Sequence, residues 1–189
     1  MAETPLMKQY KEIKSKHEDS ILFFRLGDFY EMFFDDAVKA SKELGLTLTS
    51  RNKEKDMDVP LAGVPYHSAN SYISKLVSKG YKIAICEQVE DPKTAKGIVK
   101  REVTKIITPG TVIDVDTLDA KSNNYLMSIR IAEEKIGIAY IDITTGEFKV
   151  TEIENDKECS GMMNELNKIE PKEVLVTASF YESAKEVLD

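Results

Sequence analysis

The sequence predicts an α/β protein in two units, residues 1–115 and 116–189. Three observations predict it. Apolar runs of strand length, such as Ile21–Leu26 and Lys82–Gln88, alternate with segments of helical period. Glycine and proline fall between these runs, at Gly27, Gly45, Gly80 and Pro109-Gly110. The charge balance also changes along the chain. Residues 1–112 carry 18 Lys+Arg against 16 Asp+Glu, whereas residues 113–189 carry 8 against 17. Such asymmetry suggests two units with different partners. The boundary is expected near Ile113–Ala120.

Thr4-Pro5 starts a helix, with threonine as N-cap and proline at the first helical position. Leu6, Tyr10 and Ile13 form its inward stripe, and it is expected to end before Asp19-Ser20. Ile21–Leu26 is a buried strand, and Gly27-Asp28 supply turn chemistry. A helix follows over Asp35–Leu44, with two acids in its first turn and Gly45 closing it. Leu46–Arg51 alternates like a strand, and Asn52–Asp58 reads as a charged, flexible loop. Val59–His67 holds two prolines and a glycine and reads as an apolar but irregular segment. Ser68–Lys79 is a helix stopped by Gly80, and Lys82–Gln88 a central strand. Asp91–Gly97 is a loop and Val99–Ile107 a further strand.

Beyond Thr108-Pro109-Gly110-Thr111 the texture changes. Asn124–Ala132, Lys135–Ile143 and Gly146–Ile153 predict an antiparallel meander. A helix over Asn155–Ile169, a short strand over Glu173–Val176 and a helix over Phe180–Leu188 follow. This order resembles the front half of a ribonuclease-H-like fold, which stops early here and so suggests a fragment.

Composition narrows the function. No apolar run has membrane-spanning length, and Met1–Tyr10 lacks secretory character. Cys86 and Cys159 lie far apart and read as free thiols of a reducing compartment. Two histidines and no Cys/His cluster argue against structural zinc. No Walker A loop is present, so these residues are not expected to hydrolyse ATP.

The stretch that stands out is Leu26–Phe34. If it is extended, Phe29 and Glu31 project from one face and Tyr30 from the other. An aromatic plate beside a carboxylate suits binding. The same residues also read as ordinary core and helix-start groups, and spacing alone leaves both readings open. Likewise Lys93, Lys96, Lys100, Arg101 and Lys105, set against Glu102 alone, read either as a solvated face or as phosphate contacts.

Gly27–Phe33, Pro60–His67, Cys86-Glu87-Gln88, Asp91-Pro92, Lys96-Gly97 and Thr108–Thr111 together resemble the amino-terminal region of the MutS family of DNA mismatch-repair proteins. The resemblance covers essentially the whole chain. It implies a mixed-sheet mismatch-recognition domain followed by part of a ribonuclease-H-like connector domain. It places the family's Phe-X-Glu motif on Phe29 and Glu31. The phenylalanine would wedge into the minor groove and stack on a mispaired base, and the glutamate would hydrogen-bond to that base. Protonation of Glu31 against DNA would let it donate to a base acceptor. Arg51, Lys96, Lys100 and Arg101 are expected at phosphates, and Leu61, Gly63, Pro65 and His67 beside the minor groove.

By the same resemblance, ATP and magnesium belong to a missing ATPase domain. The partners would be mismatched double-stranded DNA, the remaining domains and a MutL-type protein, in bacterial cytoplasm. The whole protein would be a dimer and this piece a monomer. Two other functional classes are compatible with parts of the sequence. A nuclease would use Asp142 as metal ligand, but Glu147, Glu152 and Glu154 do not converge on it. A pure interaction module would use the acidic second half.

Overall fold

A computed structural model describes residues 4–51, 59–91, 94–95, 97–113, 122–156 and 159–182. The chain forms two compact units, Met1–Thr108 and Pro109–Asp189. Most of the expected boundary, residues 114–120 of Ile113–Ala120, lies outside the described residues, as does the expected loop at 52–58.

The first unit is a six-stranded mixed sheet. Its elements are α1 (Pro5–Lys14), β1 (Ile21–Leu26), β2 (Phe29–Phe33), α2 (Phe34–Leu44), β3 (Thr49–Arg51), β4 (Val59–Pro65), α3 (Ala69–Val77), β5 (Ile83–Gln88) and β6 (Arg101–Ile107). The strand order is β3-β4-β2-β1-β5-β6. Among the described residues of this unit, only β1 and β5 pair in parallel; the other pairs are antiparallel. Residues 21–24 of β1 and 83–86 of β5 are all buried, as expected of strands covered on both faces.

The two faces are covered unequally. One carries Phe23, Met32, Ala62, Val64 and Ile85 and lies under α2 and α3. The other carries Leu22, Phe24, Phe33, Val59, Ala84 and Cys86 and packs on Met7 and Tyr10 of α1. Thr4 caps α1, its side chain accepting from the Met7 N–H at 3.3 Å. Burial pushes the Cys86 thiol up to about 12, which keeps it protonated.

Two departures have local causes. Val59–Pro65, expected as irregular, is a strand paired on both sides. Pro60 lies beyond the last registered pair with β2, and Pro65 ends the strand, so neither interrupts the ladder where its N–H is needed. Leu46–Arg51 yields only the three-residue β3. The Leu46 N–H bonds the Ser41 carbonyl at 3.1 Å and the Ser41 hydroxyl donates to the Leu46 carbonyl at 2.6 Å, so leaving α2 consumes those residues.

The second unit contains β7 (Tyr125–Ile131), β8 (Lys135–Asp142), β9 (Glu147–Glu154), α4 (Ser160–Ile169) and β10 (Glu173–Leu175). The meander forms as expected, and β10 adds in parallel beside β7, giving the order β10-β7-β8-β9. Met162 and Ile169 of α4 pack on Met127, Ile129, Ile136 and Ile138. The helix starts at Ser160, later than expected, because the Asp156 carboxylate accepts from the Ser160 and Gly161 N–H groups. The last helix, expected over Phe180–Leu188, begins at residue 178 and is helical through 182, and residues 183–188 lie outside the described residues.

Asp142 closes the β8–β9 hairpin. It is 1% exposed and accepts from the N–H groups of Asn124 at 3.1 Å, Thr144 at 2.9 Å and Thr145 at 3.4 Å, and from the Thr144 hydroxyl at 2.6 Å. Burial pushes its pKa up, but these donors outweigh burial and hold it below its ordinary 3.8. The carboxylate is thus spent on the turn. Replacing it by Ala is expected to cost the unit about 1–3 kcal/mol at neutral pH. Because the folded pKa is depressed, that stability is complete above 3.8 and lost as pH falls through the lower folded value. The gap between the melts of the two forms should therefore begin to narrow only as the pH falls below about 4.

Candidate nucleic-acid interface

The site begins at the β1–β2 hairpin. Gly27 has φ +57°, the left-handed conformation that the first position of such a tight turn requires. The turn delivers Phe29 as the first residue of β2, opposite Leu26 on one side and Pro65 on the other. Burial along β2 then alternates and deepens. Phe29 is 47% exposed, Tyr30 is 7% exposed on the opposite face, Glu31 is half-buried, and Met32 and Phe33 are closed off. Phe29, Glu31 and Phe33 share the face that α1 covers, and only the Phe33 end is sealed by the aromatic cluster of Tyr10 and Phe24.

Glu31 is flanked by Phe24 and Gly63. A Cβ at Gly63 would lie 3.7 Å from Glu31 Cγ and 4.0 Å from Phe29 Cδ1. The missing side chain therefore leaves a notch against both functional candidates. An exposed aromatic ring, a carboxylate and bare backbone thus lie side by side on adjacent strands.

The other expected contacts separate into three groups. Pro65 and the exposed His67, in a 3-10 turn (Tyr66–Ser68) just after β4, lie at the same end of the sheet as Phe29. The exposed Lys100, just before β6, is also at this end, three strand spacings away, roughly 14 Å. Its ammonium lies 2.6 Å from Glu102, which pushes its pKa up. Leu61 lies towards the other end, opposite Phe33, and packs against the core. Arg51 is opposite Val59, also at that far end, and its side chain lies outside the described residues, as does Lys96.

Arg101 turns inward. It was expected at a phosphate, but it is 6% exposed and its donors are engaged inside the unit. Nε donates to the Arg25 carbonyl at 2.7 Å, and one terminal nitrogen donates to the Val99 carbonyl at 2.8 Å and to Gln9 at 3.1 Å. Its guanidinium also lies 5.0 Å from the Phe24 ring centroid. A side chain so satisfied ties α1, β1 and β6 together.

The description MutS domain I matches residues 4–116. The chain belongs to the MutS family. MutS domain II matches residues 124–189. The DNA mismatch repair protein MutS of Fusobacterium nucleatum is 61% identical over 99% of this chain and 21% of its own length. That of Lachnoclostridium phytofermentans is 54% identical over 98% of this chain and 20% of its own. That of Staphylococcus epidermidis is 53% identical over 96% and 20%. The chain thus spans about a fifth of the length of these relatives. The two MutS matches fall on the mixed sheet and on the meander unit respectively.

Behind Phe29, on the opposite face of the MutS domain I sheet, lies a group that sequence reasoning missed. Arg25 is registered opposite Tyr30, its guanidinium lies 3.8 Å from the Tyr66 ring centroid, and Glu87 bonds the Tyr30 hydroxyl. Burial, and then Glu87, push the Tyr30 phenol up to about 12. The available signal was a lone arginine in an otherwise apolar strand, Ile21–Leu26.

The placement of Arg101 makes a stability prediction. Arg101→Ala should cost about 1–3 kcal/mol by leaving the Arg25 and Val99 carbonyls without their donor. Lys100→Ala, at an exposed side chain, should leave the melt unchanged. Equal thermal midpoints for the two variants would contradict the structural role of Arg101.

Proposed function

We propose that the first unit recognises mismatched double-stranded DNA, with Phe29 entering the minor groove and stacking on one base of the mispair while Glu31 hydrogen-bonds to that base. The observation that carries this reading is the open end of β2, where Phe29 is 47% exposed beside Glu31 and the Gly63 notch. A core phenylalanine would be sealed as Phe33 is.

The energetics suit the residues. Unstacking a base step costs a few kcal/mol, and the cost is lowest where pairing is already poor. Stacking on an aromatic returns about 1–3 kcal/mol for any base. One ring can therefore sense weak pairing without reading sequence. A mismatch also bends more easily, which adds discrimination without base contacts. Glu31 supplies the converse element, because a carboxylate near phosphates disfavours a duplex that offers it no partner. On this reading Glu31 binds protonated.

The second unit acts as a connector to further domains and to a MutL-type partner. ATP and magnesium belong to the ATPase domain of the whole protein, a dimer of bacterial cytoplasm, whereas these residues act as a DNA-binding piece, monomeric on their own. Names of the relatives support a place in mismatch repair.

Fluorescence anisotropy on a G·T-mismatched duplex and its matched control, at low salt, tests the reading. The wild-type chain should prefer the mismatch, and Phe29→Ala should lose about ten- to hundredfold of that preference. Equal affinity of the wild type for both duplexes would refute the wedge. Glu31→Gln should retain mismatch binding that Glu31→Asp loses, and equal loss in both would exclude the protonated form. Lys100→Ala should weaken both duplexes alike and flatten the salt slope by about one.

A further inference from the structure

We propose that Arg25 is a positioning residue for Phe29, acting from the opposite face of the sheet as the lock on the β1–β2 turn. The proposal rests on the wedge reading of Phe29. Arg25 lies on the face of the sheet opposite Phe29, since its cross-strand partner is Tyr30. Its contacts converge on the turn instead. Nε donates to the Gly27 carbonyl at 2.5 Å. The guanidinium lies 3.8 Å from the Tyr66 ring centroid and 5.5 Å from that of Tyr30, and a terminal nitrogen lies 3.8 Å from Glu87.

Tyr66 closes the circuit. Its backbone N–H donates to the Asp28 carbonyl at 2.9 Å. Both carbonyls of the two-residue turn are therefore held, one by the Arg25 side chain and one by the Tyr66 backbone. The ring of Tyr66 in turn lies against the guanidinium of Arg25. From behind, the Arg25 carbonyl accepts from buried Arg101. The turn that precedes Phe29 is thus fixed by a loop of contacts running from Gly27 through Arg25 and Tyr66 back to Asp28.

This arrangement matters because a wedge meets a load. Parting stacked bases costs a few kcal/mol, and a turn that yields would let the ring retreat rather than the bases open. A side chain held by supporting contacts loses less on engagement. Arginine suits the post because its planar fork donates in a fixed direction while stacking on an aromatic face. Lysine keeps the charge near Glu87 but cannot reproduce the fork or the stack, so geometry and charge can be separated experimentally.

Two measurements on the 189-residue chain test the proposal. Amide hydrogen exchange of the free protein reads the lock directly, because the Tyr66 N–H is protected by Asp28 in the turn. Arg25→Lys and Arg25→Leu should both speed exchange at Tyr66 by about tenfold or more, with the Phe23 and Phe24 amides of the core unchanged. The ratio of mismatched to matched duplex affinity should fall in both variants by about threefold or more, towards that of Phe29→Ala. An unchanged Tyr66 amide in Arg25→Lys overturns the proposal. So does equal acceleration of the core amides, which would mark general destabilisation. An intact affinity ratio, where Phe29→Ala abolishes it, overturns it as well. A wild-type chain without mismatch preference refutes the wedge reading instead, and exchange at Tyr66 alone then decides whether Arg25 holds the turn.

Discussion

Asp36 is a carboxylate with 2% of its surface exposed, and three elements of the first unit meet on it. It lies in the first turn of α2, pairs with Lys14 of α1 at 2.9 Å, accepts from the Leu22 N–H of β1 at 3.0 Å and from the Tyr10 hydroxyl at 3.3 Å. A buried charge is tolerated only when its lone pairs are filled, so these partners must stay where they are. Burial and the charge of Asp36 push the Tyr10 phenol upward, which keeps it a donor. The consequence is positional. With Tyr10 and Lys14 held on Asp36, α1 is seated over Phe24 and Phe33, at the far end of β2 from Phe29. The exposure of the proposed wedge follows from where a buried acid places the only helix packed on that face among the described residues.

The inequality of the two faces extends the same constraint. Helices α2 and α3 close one face with Ala37, Ala40, Ile73 and Leu76, and that closure supports the sheet from behind. The other face can then be left open at one end without loss of the strands beneath it. Glycine at position 63 keeps that end uncovered. Any larger residue there would stand against Glu31 and Phe29 at ordinary contact distance and close the notch from which both project. Sheet edges and open faces are normally guarded, and here the opening is kept narrow by Pro65 on one side and Leu26 on the other.

The strands were legible because their signal is local. Ile21–Leu26, Lys135–Asp142 and Glu147–Glu154 carry their burial pattern in their own composition, and the structure forms them within a residue or two of the expected bounds. Val59–Pro65 was not legible, because two prolines argue against a strand unless it is known which N–H groups the ladder leaves idle. The side-by-side placement of Phe29 and Glu31 followed from period two. Its cross-strand half, Gly63 beside Glu31, depends on a register set by residues over thirty positions away. Arg101 was misread for a related reason. It sits in a basic run whose neighbour Lys100 is solvated, and a run shows charge but not which member turns inward. The Arg25–Tyr66 stack joins residues from two strands' ends, and no spacing rule connects them.

Charge decides what kind of recognition such a face can support. The first 112 residues carry a net charge of only +2 by their Lys, Arg, Asp and Glu content. A duplex binder that relied on phosphate neutralisation would be far more basic, and its affinity would be spread evenly over matched and mismatched DNA. Near-neutrality keeps that indiscriminate term small, so a stacking contribution of about 1–3 kcal/mol can decide occupancy. On the proposed reading Glu31 would sharpen the difference, because its carboxylate would oppose approach wherever no base accepts a hydrogen bond from its protonated form. Weak general attraction, a supported aromatic wedge and a conditional acid are mutually consistent. On that reading, strengthening the first by adding surface lysines would raise affinity for every duplex while leaving the ratio set by the proposed wedge unchanged.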